Sequence, residues 1–116
     1  PEKIEAVAWA IEQHMGLWRD EPVEGLEAAI LWDADKLAKI GLTAAFHWVG
    51  GDLSRARTHG VTTPGLVEFG RQPDWQDKTV ASMHTEPAKK AATKRLAAYR
   101  ALWDGLEAEW DGSDLV

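Results

Sequence analysis

Two aspartates, Asp33 and Asp35, lie in the run Leu31-Trp32-Asp33-Ala34-Asp35-Lys36-Leu37, where apolar side chains surround both. A carboxylate that leaves water without a partner costs several kcal/mol, so each acid must be paired, protonated or bound to a cation. That need admits either a structural ion pair or a metal and general-base site. The four histidines, His14, His47, His59 and His84, are the other groups able to ligate a metal or move a proton near neutral pH. None stands at His-x-x-x-His spacing and none adjoins an aspartate. Ser-His-Asp nucleophilic catalysis has no support, and no glycine-rich phosphate loop is present.

The elements that must position these groups are helical. Ile4, Val7, Ala8 and Ile11 recur at helical steps, predicting a first helix over about Glu2–Met15, with His14 on its apolar stripe facing the core or a cleft. Gly16 stops it, and Leu17–Pro22 makes a short charged loop. A second helix spans about Val23–Ile40, with Gly41 as its stop. Leu26, Ile30, Leu37 and Ile40 form one stripe and Ala28, Leu31, Ala38 and Leu42 another, so this helix is read as central. Asp33 falls in the first stripe and Asp35 beside the second, about 200° apart, so one ion cannot easily take both.

A third helix is expected from Thr43, as N-cap, through Phe46, His47 and Trp48 until Gly50-Gly51 interrupts it. Residues from about 50 to 77 read as a loop-rich excursion, punctuated by Gly60, Pro64, Gly65, Gly70 and Pro73, with Arg55 and Arg57 on a short helical turn. The last helix is the clearest element. Thr85 is its N-cap, Glu86 and Pro87 suit its first turn, and Ala92, Leu96, Tyr99, Trp103, Leu106 and Trp110 form a packing seam. No segment alternates as a strand would.

Composition narrows the function classes. At 116 residues the chain forms one domain at most. The absence of cysteine excludes disulfides and thiolate chemistry and leaves histidine, carboxylate, backbone and water as metal ligands. A formal net charge of −6 argues against nucleic acid as partner and against a basic membrane-surface helix. No apolar run approaches the roughly 20 residues that span a bilayer, so a soluble, cytoplasmic protein is expected. The tryptophans at 9, 18, 32, 48, 75, 103 and 110 are expected to be packing mass, with no sequence clustering that would favour a sugar-stacking platform.

One family pattern is visible. Ala10-Ile11-Glu12-Gln13-His14, the loop to Pro22, and Glu27 through Asp33-Ala34-Asp35-Lys36-Leu37 with Gly41 resemble the C-terminal half of an HD-domain metal-dependent phosphohydrolase. Lys78, Met83-His84-Thr85, Ala88-Lys89-Lys90-Ala91-Ala92 and Arg95 resemble the closing helix of its bacterial members. The resemblance implies an all-helical HD-type bundle of about four to five helices, with residues 1–116 as the C-terminal portion of a larger domain. It implies a divalent metal (Mn, Fe, Mg, Co, Ni or Zn) and a small phosphorylated substrate: a monoester, a diester or a nucleotide.

The family's metal is held by a histidine, an adjacent His-Asp pair and a later aspartate in an Ala-Asp-hydrophobic setting. Only the last maps here, onto Asp35, whereas the helical stripe points to Asp33 as the inward acid. The match makes Asp35 the metal ligand and Asp33 a supporting or general-base residue. It places His14 near the substrate phosphate or a second metal, and makes Lys36 a catalytic candidate that, with Lys78, counters phosphate charge. Arg95 is a candidate for substrate binding, or with Glu27 for a structural or orienting role. The first histidine and the His-Asp pair have no counterpart, and Ala38 and His47 stand where the family often has aspartate and arginine. The alternative is a non-catalytic helical interaction or regulatory module that pairs with itself or with an upstream helical segment, exposing apolar surface.

Overall fold

Every described element is a helix. The computed structural model describes residues 1–59 and 62–116, with side chains for 1–51 and 62–116. In chain order they are α1 (Glu2–Gln13), α2 (Leu26–Leu37), α3 (Leu42–His59), α4 (Thr63–Arg71), α5 (Gln76–Ala81), α6 (Glu86–Asp111) and a final 3-10 turn, Ser113–Leu115. No strand occurs among the described residues, and no helix there is long and apolar enough to cross a membrane.

The spine is α6. Thr85 caps it, its hydroxyl accepting the Ala88 N–H at 3.3 Å, with Pro87 inside the first turn where its missing N–H costs nothing. Ala88, Ala92 and Leu96 pack with Ile40 and Met83, tying the start of α6 to the end of α2 and the turn after α5. Further along, Tyr99 and Trp103 pack with Ala45 of α3 and Val67 of α4. The expected seam is therefore buried from Ala92 to Trp103, whereas Trp110 at its end is exposed.

Two glycines permit the close approaches along this spine. Gly41, between α2 and α3, has φ +106, and a Cβ there would lie 3.0 Å from Arg95 Cβ. Gly70 lies under the Trp103 indole, where a Cβ would fall 2.1 Å from Trp103 Cε2, while the Gly70 carbonyl accepts the Tyr99 hydroxyl at 2.6 Å. Neither position accepts a side chain without moving α6.

The 50–77 excursion is more helical than its glycines and prolines suggest. Gly50 and Gly51 sit inside α3, where a helical glycine costs about 1 kcal/mol, a penalty that packing of Ala45 and Val49 on α6 offsets. Thr62 caps α4 by accepting the Gly65 N–H, and Pro64 occupies the first turn, so the residues read as breakers are start signals. Arg55 and Arg57 belong to α3 by backbone, their side chains lie outside the described set, and Gly60 lies outside the described residues.

The N-terminal helices also differ from expectation. The Ile4–Val7–Ile11 stripe of α1 stands in solvent, and α1 instead meets α2 through Ala10, which packs with Val23, Ala28 and Trp32. On α2 the exposed side carries Leu26, Ile30 and Leu31, while Ala28, Ala29, Trp32, Asp33 and Lys36 face inward. Small residues at the contact let the backbones approach and seat the Trp32 ring, which decides the face. The result is elongated, 59 × 34 × 19 Å with a radius of gyration of 17.4 Å, against about 13 Å for a compact chain of this length.

Candidate functional site

Asp33 is the better enclosed of the two acids, at 4% exposure, and its oxygens accept four hydrogen bonds from the start of α6. The His84 backbone N–H (2.9 Å) and imidazole Nδ1–H (3.1 Å) donate to Oδ1, and the Thr85 N–H and hydroxyl (both 2.9 Å) donate to Oδ2. Val23 N–H donates to His84 Nε2 at 2.8 Å, so that nitrogen is the acceptor and Nδ1 carries the proton. One imidazole thus fastens the loop before α2 to the cap of α6. Burial alone would raise the Asp33 pKa, but the hydrogen bonds from the His84 and Thr85 backbone and side chains outweigh it and hold the carboxyl below its ordinary value.

This arrangement gives Asp33 a structural task. Its lone pairs are committed to the α2–α6 junction, and the Thr85 hydroxyl it accepts from is the same one that caps α6. The helical stripe pointed to Asp33 as the inward acid and it is the more buried of the two, although the leucine and isoleucine the stripe was drawn through at Leu26 and Ile30 face solvent.

Asp35 is held differently. Its Oδ2 accepts from Lys36 Nζ at 2.6 Å and Lys39 Nζ at 3.0 Å, with its side chain 30% exposed. Lys36 is fully buried: its ammonium also donates to the His14 carbonyl at 2.5 Å and lies 4.2 Å from the centre of the Trp32 ring. Burial pulls the Lys36 pKa below its ordinary value against the pull of Asp35, while Asp35, raised by burial but lowered more by both lysines, falls below its own. Arg19 stacks on Trp32 as well, 5.5 Å from the ring centre, and donates to the Gln13 carbonyl, closing the Leu17–Pro22 loop onto α1.

The structure thus brings together three of the residues singled out from sequence, His14, Asp35 and Lys36, at the crossing of α1 and α2. His14 takes part through its carbonyl, while its half-buried imidazole turns back to the Ile11 carbonyl. Lys36 is enclosed and not presented to a phosphate. Lys78 is exposed, with its ammonium 4.8 Å from the centre of the Trp18 ring. Arg95 donates to the Leu37 carbonyl at 2.8 Å, closing the C-terminal end of α2. Glu27 is exposed, and the side chain of His59 lies outside the described set.

These residues do not by themselves compose a metal centre. Among the described residues no group of three or more histidines or carboxylates converges, and Asp35, the acid expected from the resemblance to hold a metal, already faces two ammonium groups. His84 is the residue that sequence reasoning undervalued, since its partners Asp33 and Val23 are far away in the chain and no local pattern announces them. The hints were its place before the Thr85 cap and within the Met83-His84-Thr85 match. No protein-family model, known protein or solved structure matches this chain.

Proposed function

We propose that this chain belongs to a metal-dependent phosphohydrolase of the HD type, folded as the corresponding helical bundle, with Asp35 as its contribution to a divalent-ion site. The observation that carries the reading is the position of Asp35 within Asp-Ala-Asp-Lys-Leu, at the α1–α2 crossing and joined to His14 through Lys36. The other ligands are not among these residues, so no reaction step is assigned to them. What the chain contributes is positional: Asp33, His84 and Thr85 fix the register of α2 against α6, while Lys36 and Lys39 balance the charge of the Asp35 carboxylate. The substrate is a small phosphorylated compound. The test uses the product of the complete reading frame, with metal content and phosphatase activity measured in the wild type and in Asp35→Ala. The variant is expected to lose bound metal and at least about tenfold in turnover while keeping its helical content. Equal metal and turnover in the two proteins overturns the reading.

A second reading rests on a specific feature, the apolar side chains that α1 and α2 leave in water: Ile4 at 74%, Val7 at 59%, Leu26 at 67% and Ile30 at 50% exposure. It makes the chain a helical interaction module without catalysis. Light scattering separates the two: a dimer that Val7→Asp dissociates, in a protein without phosphatase activity, favours the module.

A further inference from the structure

Charge is sorted along this chain. Residues 1–35 hold nine acids against two cations, whereas residues 87–103, within α6, hold five cations and no acid. Apolar surface accompanies both. On α1, Ile4, Val7 and Ile11 form an exposed stripe at steps of three and four, and helix geometry puts Glu5 and Glu12 along one border of it. On the basic side, α6 and the start of α3 enclose a groove of about 400 Å³, with Ile40, Leu42, Ala91 and Ala98 as apolar lining and Lys94 and Arg95 as its charges. Lys90 stands one turn before Lys94, and Phe46, one turn after Leu42, is exposed. Among the described residues none of Lys90, Lys94 and Arg95 meets a carboxylate, and Arg95 donates to the uncharged Leu37 carbonyl.

We propose that α1 of one copy of this chain docks head to tail into this groove on a second copy, its stripe on Ile40, Leu42 and Ala91 and its Glu5 and Glu12 toward Lys90 and Lys94. The proposal rests on the interaction-module reading, and names the partner and both contacting faces. The stripe is apolar with an acidic border and the groove is apolar with a cationic one, so each supplies the charge the other lacks. Pairing two α1 helices would instead gather six acids against two lysines. The area agrees as well. The chain exposes 8106 Å², about 1,800 Å² more than a compact protein of 12.8 kDa, and a standard interface covers about 800 Å² on each partner. That excess accommodates both the helix that docks and the groove that receives one. A nucleic acid would meet the same cations, but it gains nothing from the apolar lining and is repelled by the acidic remainder of the surface. The contact is heterologous, so it closes as a reciprocal dimer or grows into a chain of copies.

Light scattering over a concentration series, with two variants measured alone and mixed, tests this. The wild-type chain is expected to gain mass with concentration, and less so at high salt, because part of the attraction is ionic. Val7→Asp spoils the stripe and Lys94→Glu the groove. Both residues are exposed, so both changes are tolerable, and circular dichroism checks each variant. Alone, each is expected to associate at least about tenfold more weakly than the wild type. Mixed, they are expected to form a one-to-one complex that grows no further, since one sound stripe then meets one sound groove. A monomeric wild type, association that salt strengthens, either folded variant associating as the wild type does, or a mixture that stays monomeric overturns the proposal. Displacement of the second copy by a short DNA duplex overturns it too, in favour of nucleic acid. Self-association that Val7→Asp abolishes and Lys94→Glu spares sinks the groove and leaves the module reading standing. Phosphatase activity in a chain that associates as described sinks the module reading alone.

Discussion

Asp33 and Asp35 are two residues apart on one helix, and their surroundings solve the same burial problem in opposite ways. Asp33 is enclosed and receives donors from uncharged groups, all from the segment that opens α6. Asp35 is part-exposed and receives two ammonium groups, Lys36 from its own helix and Lys39 from just beyond its end. Fixed neutral donors hold an anion without a second charge to desolvate, and they transmit position because three of the four belong to backbone or a helix cap. Of the two ammonium partners, Lys36 is fixed by burial against Trp32 and the His14 carbonyl, whereas Lys39 is open to solvent on a flexible stem and can be drawn to another anion. The first acid is therefore built to join elements and the second to remain available.

The largest effect expected from breaking this contrast is that of Asp33→Ala, which strands the His84 and Thr85 donors in a buried junction. A loss of about 3 to 5 kcal/mol is expected in urea denaturation. A loss under about 1 kcal/mol would show that the junction carries no such weight.

Acid titration sharpens the same contrast. Each acid has a folded pKa below its ordinary value, and an unfolded aspartate titrates near pH 3.9, so the unfolded chain binds more protons between the two values. Stability from both is present above about pH 4 and is lost as pH falls through that value toward the folded ones. High salt is expected to reduce the Asp35 share, through its exposed Lys39 partner, more than the Asp33 share, read as a flatter acid limb in Asp33→Asn at high salt and little change in Asp35→Asn.

Thr85→Ala removes both a donor to Asp33 and the cap of α6. Thermal unfolding is expected to show a loss of about 1 to 2 kcal/mol, more than a surface cap alone gives. Lys36→Met keeps the buried stem but deletes an ammonium whose desolvation offsets much of its attraction, so a change of about 1 kcal/mol or less is expected. Smallest of all is Lys39→Ala, a surface i,i+4 pair worth less than about 0.5 kcal/mol and weaker still with added salt. A Lys39 effect as large as that of Thr85 would invert the ranking and the comparison with it.

Much of the fold was legible because the signals were local. The first helix ends within two residues of the expected limit, the all-helical class holds among the described residues, and Thr85 with Pro87 starts α6 where expected. Caps and first-turn prolines act within three or four residues, and a single chain displays them directly. The misreadings share a cause in distance. Gly70 looked like a loop residue because its reason, the Trp103 indole against its Cα, lies on another helix. The tryptophans read as core are divided, with Trp32 and Trp103 buried but Trp9, Trp18, Trp48 and Trp110 exposed.

Of the candidate site, the sequence picked out Asp33 and Asp35 because charge beside apolar neighbours demands a partner, and the family resemblance added His14 and Lys36. It did not say who the partners were. The burial of Lys36, the pairing of Asp33 with His84 and Thr85, and the edge-to-face contact of Trp48 with Phe69 all arise between segments separated by about twenty residues or more. Helix starts follow from short-range hydrogen bonding and steric rules written in neighbouring residues. Which face of a helix is buried depends on which other surface can approach it most closely, and here the small residues Ala10 and Ala28 around Trp32 outweighed the larger apolar stripe left in water.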